Sequence, residues 1–335
     1  MYKKILLLLV LLSPAIVLAQ EISDEPAADA PKEQTEPEKK ALDRHKDAVD
    51  TQILRASGWV DQFFGDRNYL AETATTLVRI RPELYYRKEQ GAKGRLKVGI
   101  KFALPNLGRK TSLVIGSDDA VDSFGDNTDD TDGEPIIGLQ FFGKSTKRWN
   151  TSLSAGVKFN EFAGYVGPRV RYLTPWGQNK SVRFTQVVRY QTNSYWNTIS
   201  RLDFNFLLGD RYFFRQTFDG RWRGDRSEEE GFRTRVSSIL TQRLRSTAGL
   251  QYDFTTIFHT RPDTHVDRYV LALRYRKRTS RDWLYYEIVP QVSFDHDYDY
   301  TFNPGIRLRV EVFYGAVSTS RFSKRELEDT EEFRW

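Results

Sequence analysis

Alternation of apolar and charged residues along most of the chain is the feature that most limits how it can fold. From about residue 75, every second residue is apolar or aromatic, and the run at 78–87 reads VRIRPELYYR. Successive side chains of a β-strand point to opposite faces, so the pattern predicts strands with one apolar and one charged face. A soluble sandwich buries the apolar face against a second sheet, whereas a membrane barrel turns it towards lipid.

The alternating part of the chain divides into about 14 segments, within a range of about 12 to 16, and an even number suits a single-chain bacterial barrel. Most approach the ~9–11 residues that a tilted strand needs to cross a bilayer. Prolines at 82, 168 and 290 interrupt three of them, and we expect β-bulges there. The predicted strands are 75–88, 94–105, 110–117, 135–143, 150–159, 164–173, 181–192, 195–207, 210–222, 231–243, 246–258, 267–278, 283–294 and 303–314.

Three observations favour a membrane barrel over a soluble sandwich. Aromatic residues make up 14% of the chain although its mean hydropathy is −0.59, as two aromatic girdles would require. With the N-terminus in the periplasm, the long connections 117–134, 224–230 and 259–266 all fall on the outer side. Tryptophans 149, 176 and 283 fall at periplasmic strand ends, and 196 and 222 at outer ends. The fold class predicted is therefore all-β, an antiparallel transmembrane β-barrel in the Gram-negative outer membrane.

The N-terminal residues indicate how the chain is exported. Lys3 and Lys4 precede an apolar run, and small residues end it at Ala19, so 1–19 is predicted to be a cleaved signal peptide. The chain has no cysteine, which excludes disulfides and lipid attachment. Five regions follow: signal peptide 1–19, disordered acidic and proline-rich linker 20–40, periplasmic or plugging helix 41–70, transmembrane barrel 71–315 and charged tail 316–335.

Arginine dominates the charged face of the predicted strands, and this face must line the lumen because charge is costly in lipid. A lumen with surplus guanidinium attracts anions, and arginine grips carboxylate or phosphate in a bidentate fork. We therefore expect passive passage of small anionic solutes. A helix with apolar side chains at 53, 59, 60 and 63 could plug the lumen. The candidate anion-binding residues are Arg79, Arg81, Arg171, Arg183, Arg189, Arg201, Arg215, Arg233, Arg235, Arg274, Arg307 and Arg309, and those of the plug are Ile53, Trp59, Val60 and Phe63.

Two alternatives stay open beside the channel. One is an outer-leaflet lipid-modifying enzyme using His259, His265 or His296, which fall at the outer ends of neighbouring connections. The spacing of these histidines is not diagnostic for a metal, and the acidic loop 117–134 carries only a fragment of a calcium-binding motif. We therefore expect no catalytic residue, no metal site and no cofactor. The other alternative is a non-conducting structural or partner-binding barrel.

Residues 75–314 resemble bacterial outer-membrane β-barrels of the porin-like kind, on architecture and not on a motif. The arginine-lined interior is similar to that of porins for acidic oligosaccharides, which implies anionic sugars as solutes. The segment GWVDQFFG at 58–65 resembles an uncharacterised family of proteobacterial envelope proteins, and this resemblance implies location only. The expected partners are outer-membrane lipids, the barrel-assembly machinery and small anionic solutes, without nucleic acid; the sequence does not determine the oligomeric state.

Overall fold

The computed structural model describes most of the predicted barrel and part of the helix before it. The described residues are 53, 56–61, 63–64, 76–104, 111–117, 135–146, 148–159, 162–177 and 179–314. The predicted signal peptide, the linker, the acidic loop beyond residue 117 and the charged tail lie outside them. Among the described residues, no helix is both long and apolar enough to cross a membrane.

The chain forms a closed barrel of fourteen antiparallel strands, which confirms the predicted fold class and strand number. Each strand pairs with its neighbours in sequence, and β1 closes the barrel by pairing with β14. A 3-10 turn, His296–Tyr298, lies between β13 and β14. The strands are β1 Leu77–Arg87, β2 Gly91–Ala103, β3 Thr111–Ser117, β4 Pro135–Ser145, β5 Trp149–Lys158, β6 Ala163–Pro175, β7 Lys180–Gln191, β8 Tyr195–Leu208, β9 Tyr212–Arg223, β10 Phe232–Arg245, β11 Ala248–His259, β12 His265–Arg278, β13 Leu284–Asp295 and β14 Asn303–Tyr314.

The closing register between β1 and β14 joins apolar residues to apolar residues and charged residues to charged residues. Leu84 lies opposite Leu308 on the outer face, and Glu83 lies opposite Arg309 on the inner face. A shift by one residue would exchange the two faces, so the alternation itself specifies this register.

The exterior of the barrel is apolar and its interior is polar. Leu84, Leu308 and Phe254 are about half exposed, whereas inward neighbours such as Arg309 and Thr255 are buried. Only a lipid bilayer covers such an exterior, and a closed barrel leaves no strand edge unpaired in it. The predicted location in the bacterial outer membrane is thus confirmed by the architecture.

The two ends of the barrel differ in their connections. We call the end where β1 begins the proximal end and the opposite end the distal end. The short turns 209–211 and 246–247 are proximal, whereas the longer connections 224–231 and 260–264 are distal, as predicted. Short periplasmic turns are typical of outer-membrane barrels, which places the proximal end in the periplasm.

The strand prolines do not form the bulges that we predicted. Pro82, Pro168 and Pro290 each interrupt the ladder on one side, but the register before and after the interruption is unchanged. The reason is that proline lacks only its own donor, so one neighbouring strand loses contact locally without an inserted residue. Register shifts occur elsewhere, including one on β11 between Ile257 and Phe258.

The apolar exterior generates a prediction for the lipid-facing side chains. Leu308 lies near the middle of β14 and is 42% exposed. We expect Leu308→Arg to lower the free energy of unfolding by about 2–4 kcal/mol, because a guanidinium near the bilayer midplane is poorly solvated. Denaturant titration of the barrel in lipid vesicles measures this loss.

The matched control places the same side chain at the end of the barrel. Phe302 is 58% exposed just before β14 begins. Phe302→Arg should cost about 0–1 kcal/mol, because the side chain reaches the interface. Equal losses in the two variants would contradict the placement of Leu308 in the bilayer.

Candidate functional site

All the candidate anion-binding arginines lie on the inner face of the barrel, where the strand alternation directs them. Most are nearly inaccessible; Arg183, for example, exposes 4% of its surface. Their function as anion ligands stays a prediction, because placement alone does not test it. These residues are Arg79, Arg81, Arg171, Arg183, Arg189, Arg201, Arg215, Arg233, Arg235, Arg274, Arg307 and Arg309.

One side of the lumen, formed by β12, β13, β14 and β1, carries a continuous network of ion pairs. Arg309 joins two carboxylates: its Nε donates to Glu83 at 2.8 Å and its Nη1 donates to Glu287, also at 2.8 Å. Glu311 accepts hydrogen bonds from Arg79 and Arg276. Because each of these carboxylates is shared by more than one arginine, the network remains richer in guanidinium than in carboxylate.

The opposite side, formed by β7, β8, β9 and β10, has its own centre at Asp203. The Asp203 carboxylate is fully buried and accepts from Arg183 Nε at 2.7 Å, Arg201 Nε at 2.9 Å and Thr217 Oγ1 at 2.7 Å. Asp219 lies next to it and faces Arg235 at 3.3 Å. A buried carboxylate is tolerated here because several donors compensate for its lost hydration.

A third carboxylate reaches this wall from outside the strands. Asp61 belongs to the N-terminal helix, whose described helical residues are 53, 56–61 and 63. Its Oδ2 lies 2.7 Å from Arg183 Nη1, and its Oδ1 lies 2.7 Å from Arg215 Nη2. Ser57, one helical turn earlier, accepts from Arg215 Nη2 at 3.2 Å. The helix therefore lies inside the barrel, with its polar face against two lumen arginines.

The apolar face of the same helix packs at the proximal end. Ile53, Val60 and Phe63 are buried against Leu207 of β8 and Phe213 of β9. Trp59 packs against this cluster, stacks on Phe63 with ring centroids 4.7 Å apart, and carries the Arg243 guanidinium over its ring. The predicted plug residues are thus brought together inside the lumen.

A glycine on the wall makes room for the helix. A Cβ added to Gly249 of β11 would lie 2.9 Å from Cζ of Phe64, closer than such atoms approach in proteins. With Phe64 packed as it is, a side chain at this position would force the phenylalanine ring to shift. A cavity remains between helix and wall, lined by residues that include Val60, Phe64, Arg201, Arg215, Asp219 and Arg235.

Sequence reasoning did not identify Asp61 as a functional residue. Asp61 directly follows the apolar Val60, but only apolar residues of this helix were predicted to form the plug. Glu311 was not named as a lumen residue either, although it alternates with Val310 and Val312 and the strand pattern alone places it on the inner face. Both carboxylates balance arginines that the sequence analysis treated as surplus.

Comparison with known proteins gives structural likeness without sequence likeness. No protein-family model and no curated protein matches the chain. The KdgM porin in complex with disordered oligogalacturonate is 6% identical; the match covers 70% of this chain and 98% of that chain, with a TM-score of 0.36. OprD of Pseudomonas aeruginosa is 10% identical over 74% of this chain and 98% of its own, with a TM-score of 0.42. The NanC porin is 10% identical over 70% and 98%, with a TM-score of 0.36. Likeness at this level does not extend to substrates.

The contacts of Asp61 predict how the helix is held. Asp61→Asn keeps the shape of the side chain but removes its charge, which leaves Arg183 and Arg215 with less compensation. Loss of one partner of a buried ion pair costs about 3–5 kcal/mol. We expect the helix amides to lose protection in hydrogen exchange measured on the folded protein, while the strand amides keep theirs.

Asp225→Asn is the matched control. Asp225 accepts from Arg223 at 2.7 Å in an exposed pair at the distal end, where an ion pair is worth about 0–1 kcal/mol. Its replacement should leave helix protection unchanged. Unchanged helix exchange in Asp61→Asn would show that the apolar contacts alone hold the helix.

Proposed function

We propose that this protein is an outer-membrane channel that favours small anionic solutes and that its N-terminal helix constricts the periplasmic half of the lumen. One observation carries the proposal: the wall already binds a carboxylate that does not belong to it. Arg183 and Arg215 each approach the Asp61 carboxylate to 2.7 Å. A solute carboxylate presents the same group, so the lumen has the chemistry to receive it.

The distribution of charge supports the same proposal. Arginines outnumber the inward carboxylates among the described strands, and acids such as Glu287 and Asp203 each contact more than one guanidinium. In a narrow space with a low dielectric wall, the surplus raises the local concentration of anions and repels cations. The preference for anions over cations follows from this surplus and not from any single residue.

A non-conducting barrel is the second candidate, and a specific observation favours it. The helix is fixed in the lumen by an apolar cluster as well as by Asp61, and wall residues beside it, such as Thr217, expose 2% of their surface. In this form the helix would be a permanent plug or a docking element for a periplasmic partner. Conductance distinguishes the two candidates, because a permanent plug passes no current.

The lipid-modifying enzyme has less support in the geometry. Such an enzyme needs a nucleophile or an activated water beside a catalytic histidine. In the described part of the chain, the interactions of His259 and His296 are with His265, Asp267, Asp297 and Tyr300. Among the described residues, His259 and Asp267 form a His–Asp pair, and no serine hydrogen-bonds to either of them.

Ion selectivity tests the proposal directly. Arg189, Arg233 and Arg307 line the distal half of the lumen, away from the helix. In a planar bilayer under a salt gradient, we expect the parent protein to give an anion-selective reversal potential. Replacement of all three by Glu should move this potential towards cation selectivity, because the sign of the local field is reversed.

The matched control replaces the same three residues by Lys, which preserves the charge and should preserve the anion preference. An unchanged reversal potential in the Glu variant would remove these arginines from the selectivity mechanism. No current from protein shown to be folded, before and after Asp61→Asn, would favour the non-conducting barrel.

A further inference from the structure

The three histidines of the barrel gather at one place on its distal rim. His259 ends β11 and His265 begins β12, and the two are directly opposite each other in the register. His296 follows β13 in the 3-10 turn. The ring centroids of His259 and His265 are 4.4 Å apart, and those of His265 and His296 are 4.5 Å apart. The sequence already placed these histidines at the outer ends of neighbouring connections, and the structure brings their rings into contact although three different elements supply them.

A β-bulge adds a carboxylate to the group. Ile257 pairs with Arg268 and Phe258 pairs with Val266, so Asp267 is the extra residue of β12 at this point. Bulges re-aim side chains, and this one directs Asp267 to the two facing histidines. The Asp267 Oδ1 lies 2.6 Å from Nδ1 of His259 and 3.5 Å from Nε2 of His265.

One carboxylate oxygen of the group has no hydrogen-bond partner among the described residues. Oδ1 of Asp267 is enclosed by protein, yet no described donor meets it in hydrogen-bond geometry, not even Nδ1 of His259 at 2.6 Å. The other ring nitrogen of His265, Nδ1, lies 3.1 Å from the backbone carbonyl of Asp263. With Nδ1 as the donor to that carbonyl, the Nε2 lone pair points to Asp267, which is how metal-binding histidines are commonly oriented.

We propose that His259, His265 and Asp267 bind a divalent transition-metal ion of the zinc class, with the ring of His296 packed against His265 beside the site. One ligand atom from each of the first three residues lies within 4.8 Å of the others. Zinc holds nitrogen and oxygen ligands at about 2.0–2.2 Å, so neighbouring ligand atoms lie roughly 3.4 Å apart in a tetrahedral site. The 3.5 Å between His265 Nε2 and Asp267 Oδ1 matches this spacing. His259 Nδ1 and Asp267 Oδ1 are 2.6 Å apart, so these two side chains must separate by roughly 0.8 Å when they share an ion.

The ligand set also selects the kind of metal. Imidazole nitrogen suits zinc, copper and nickel, whereas calcium and magnesium prefer oxygen ligands throughout. A bound ion joins the end of β11 to the start of β12 and adds positive charge at the mouth of the barrel. The proposal departs from the sequence-based expectation of no metal, and it stands independently of the proposed channel.

Cobalt(II) is the probe for the first experiment, because its visible absorption reports both binding and tetrahedral coordination. The full mature chain, folded in detergent, is titrated with Co²⁺ and then with Zn²⁺ in competition. We expect saturation at one ion per chain. Loss of one ligand, in His259→Ala or Asp267→Asn, should weaken binding at least about tenfold, since even the loss of a supporting residue costs that much.

Two matched controls lie in the same chain. His45→Ala removes the only histidine outside the cluster, and Asp297→Asn removes an exposed carboxylate adjacent in sequence to His296. Both should bind Co²⁺ as the parent does. Circular dichroism confirms that each variant is folded, and His259→Gln replaces His259→Ala if the latter does not fold.

Three results would overturn the proposal. They are a folded parent that shows no saturable Co²⁺ spectrum, binding that survives in the His259→Ala and His265→Ala double variant, and binding that is lost in His45→Ala. A Zn²⁺-dependent rise in the melting temperature of the parent, absent from Asp267→Asn, is a second expected result, because a ligand stabilises only the state that binds it.

Discussion

Closure of β1 onto β14 is the contact on which the rest of this structure depends. Until that pair forms, two strand edges would stand in lipid with unsatisfied backbone groups, each of which costs several kcal/mol. Closure also fixes which face is inside. Once Glu83 lies opposite Arg309, the two-residue alternation of the strands fixes whether each remaining side chain of the wall faces lipid or the lumen. The arginines face the lumen because the other face of the closed barrel contacts lipid, where a charged side chain is poorly solvated.

The charged side chains inside the barrel lose hydration, and this loss must be compensated by partners of opposite charge. A buried ion pair is not intrinsically more stable than an apolar contact, because both ions lose hydration. The network answers this cost by sharing: Glu287 contacts Arg309, Arg276 and Arg274, and Asp203 contacts Arg183 and Arg201. Each of these carboxylates therefore meets more than one arginine, and guanidinium groups outnumber carboxylates along the described wall.

Local pattern predicted the barrel well, because strand periodicity is local. All fourteen strands were identified, and the turns 209–211 and 246–247 lie at the opposite end from the connections 224–231 and 260–264, as their order predicted. The site was less predictable, because its contacts join distant parts of the chain. Asp61 meets Arg183 across more than a hundred positions, and Asp267 reaches the histidines only through a bulge. The prediction of β-bulges at the strand prolines was wrong, because the missing N–H of proline interrupts pairing on one side without inserting a residue.

The position of Asp61 links the two halves of the proposed function. Its carboxylate occupies Arg183 and Arg215, the same groups that a passing anion would contact. An anion that binds these arginines must therefore compete with the helix, and by linkage the helix weakens the affinity of the wall for that anion. The apolar cluster around Phe63 limits displacement of the helix by the anion, because its contacts remain when the ion pairs are broken. In the proposed function, constriction and anion preference are therefore two consequences of one arrangement, because the helix is held by ion pairs of the kind that an anionic solute would form.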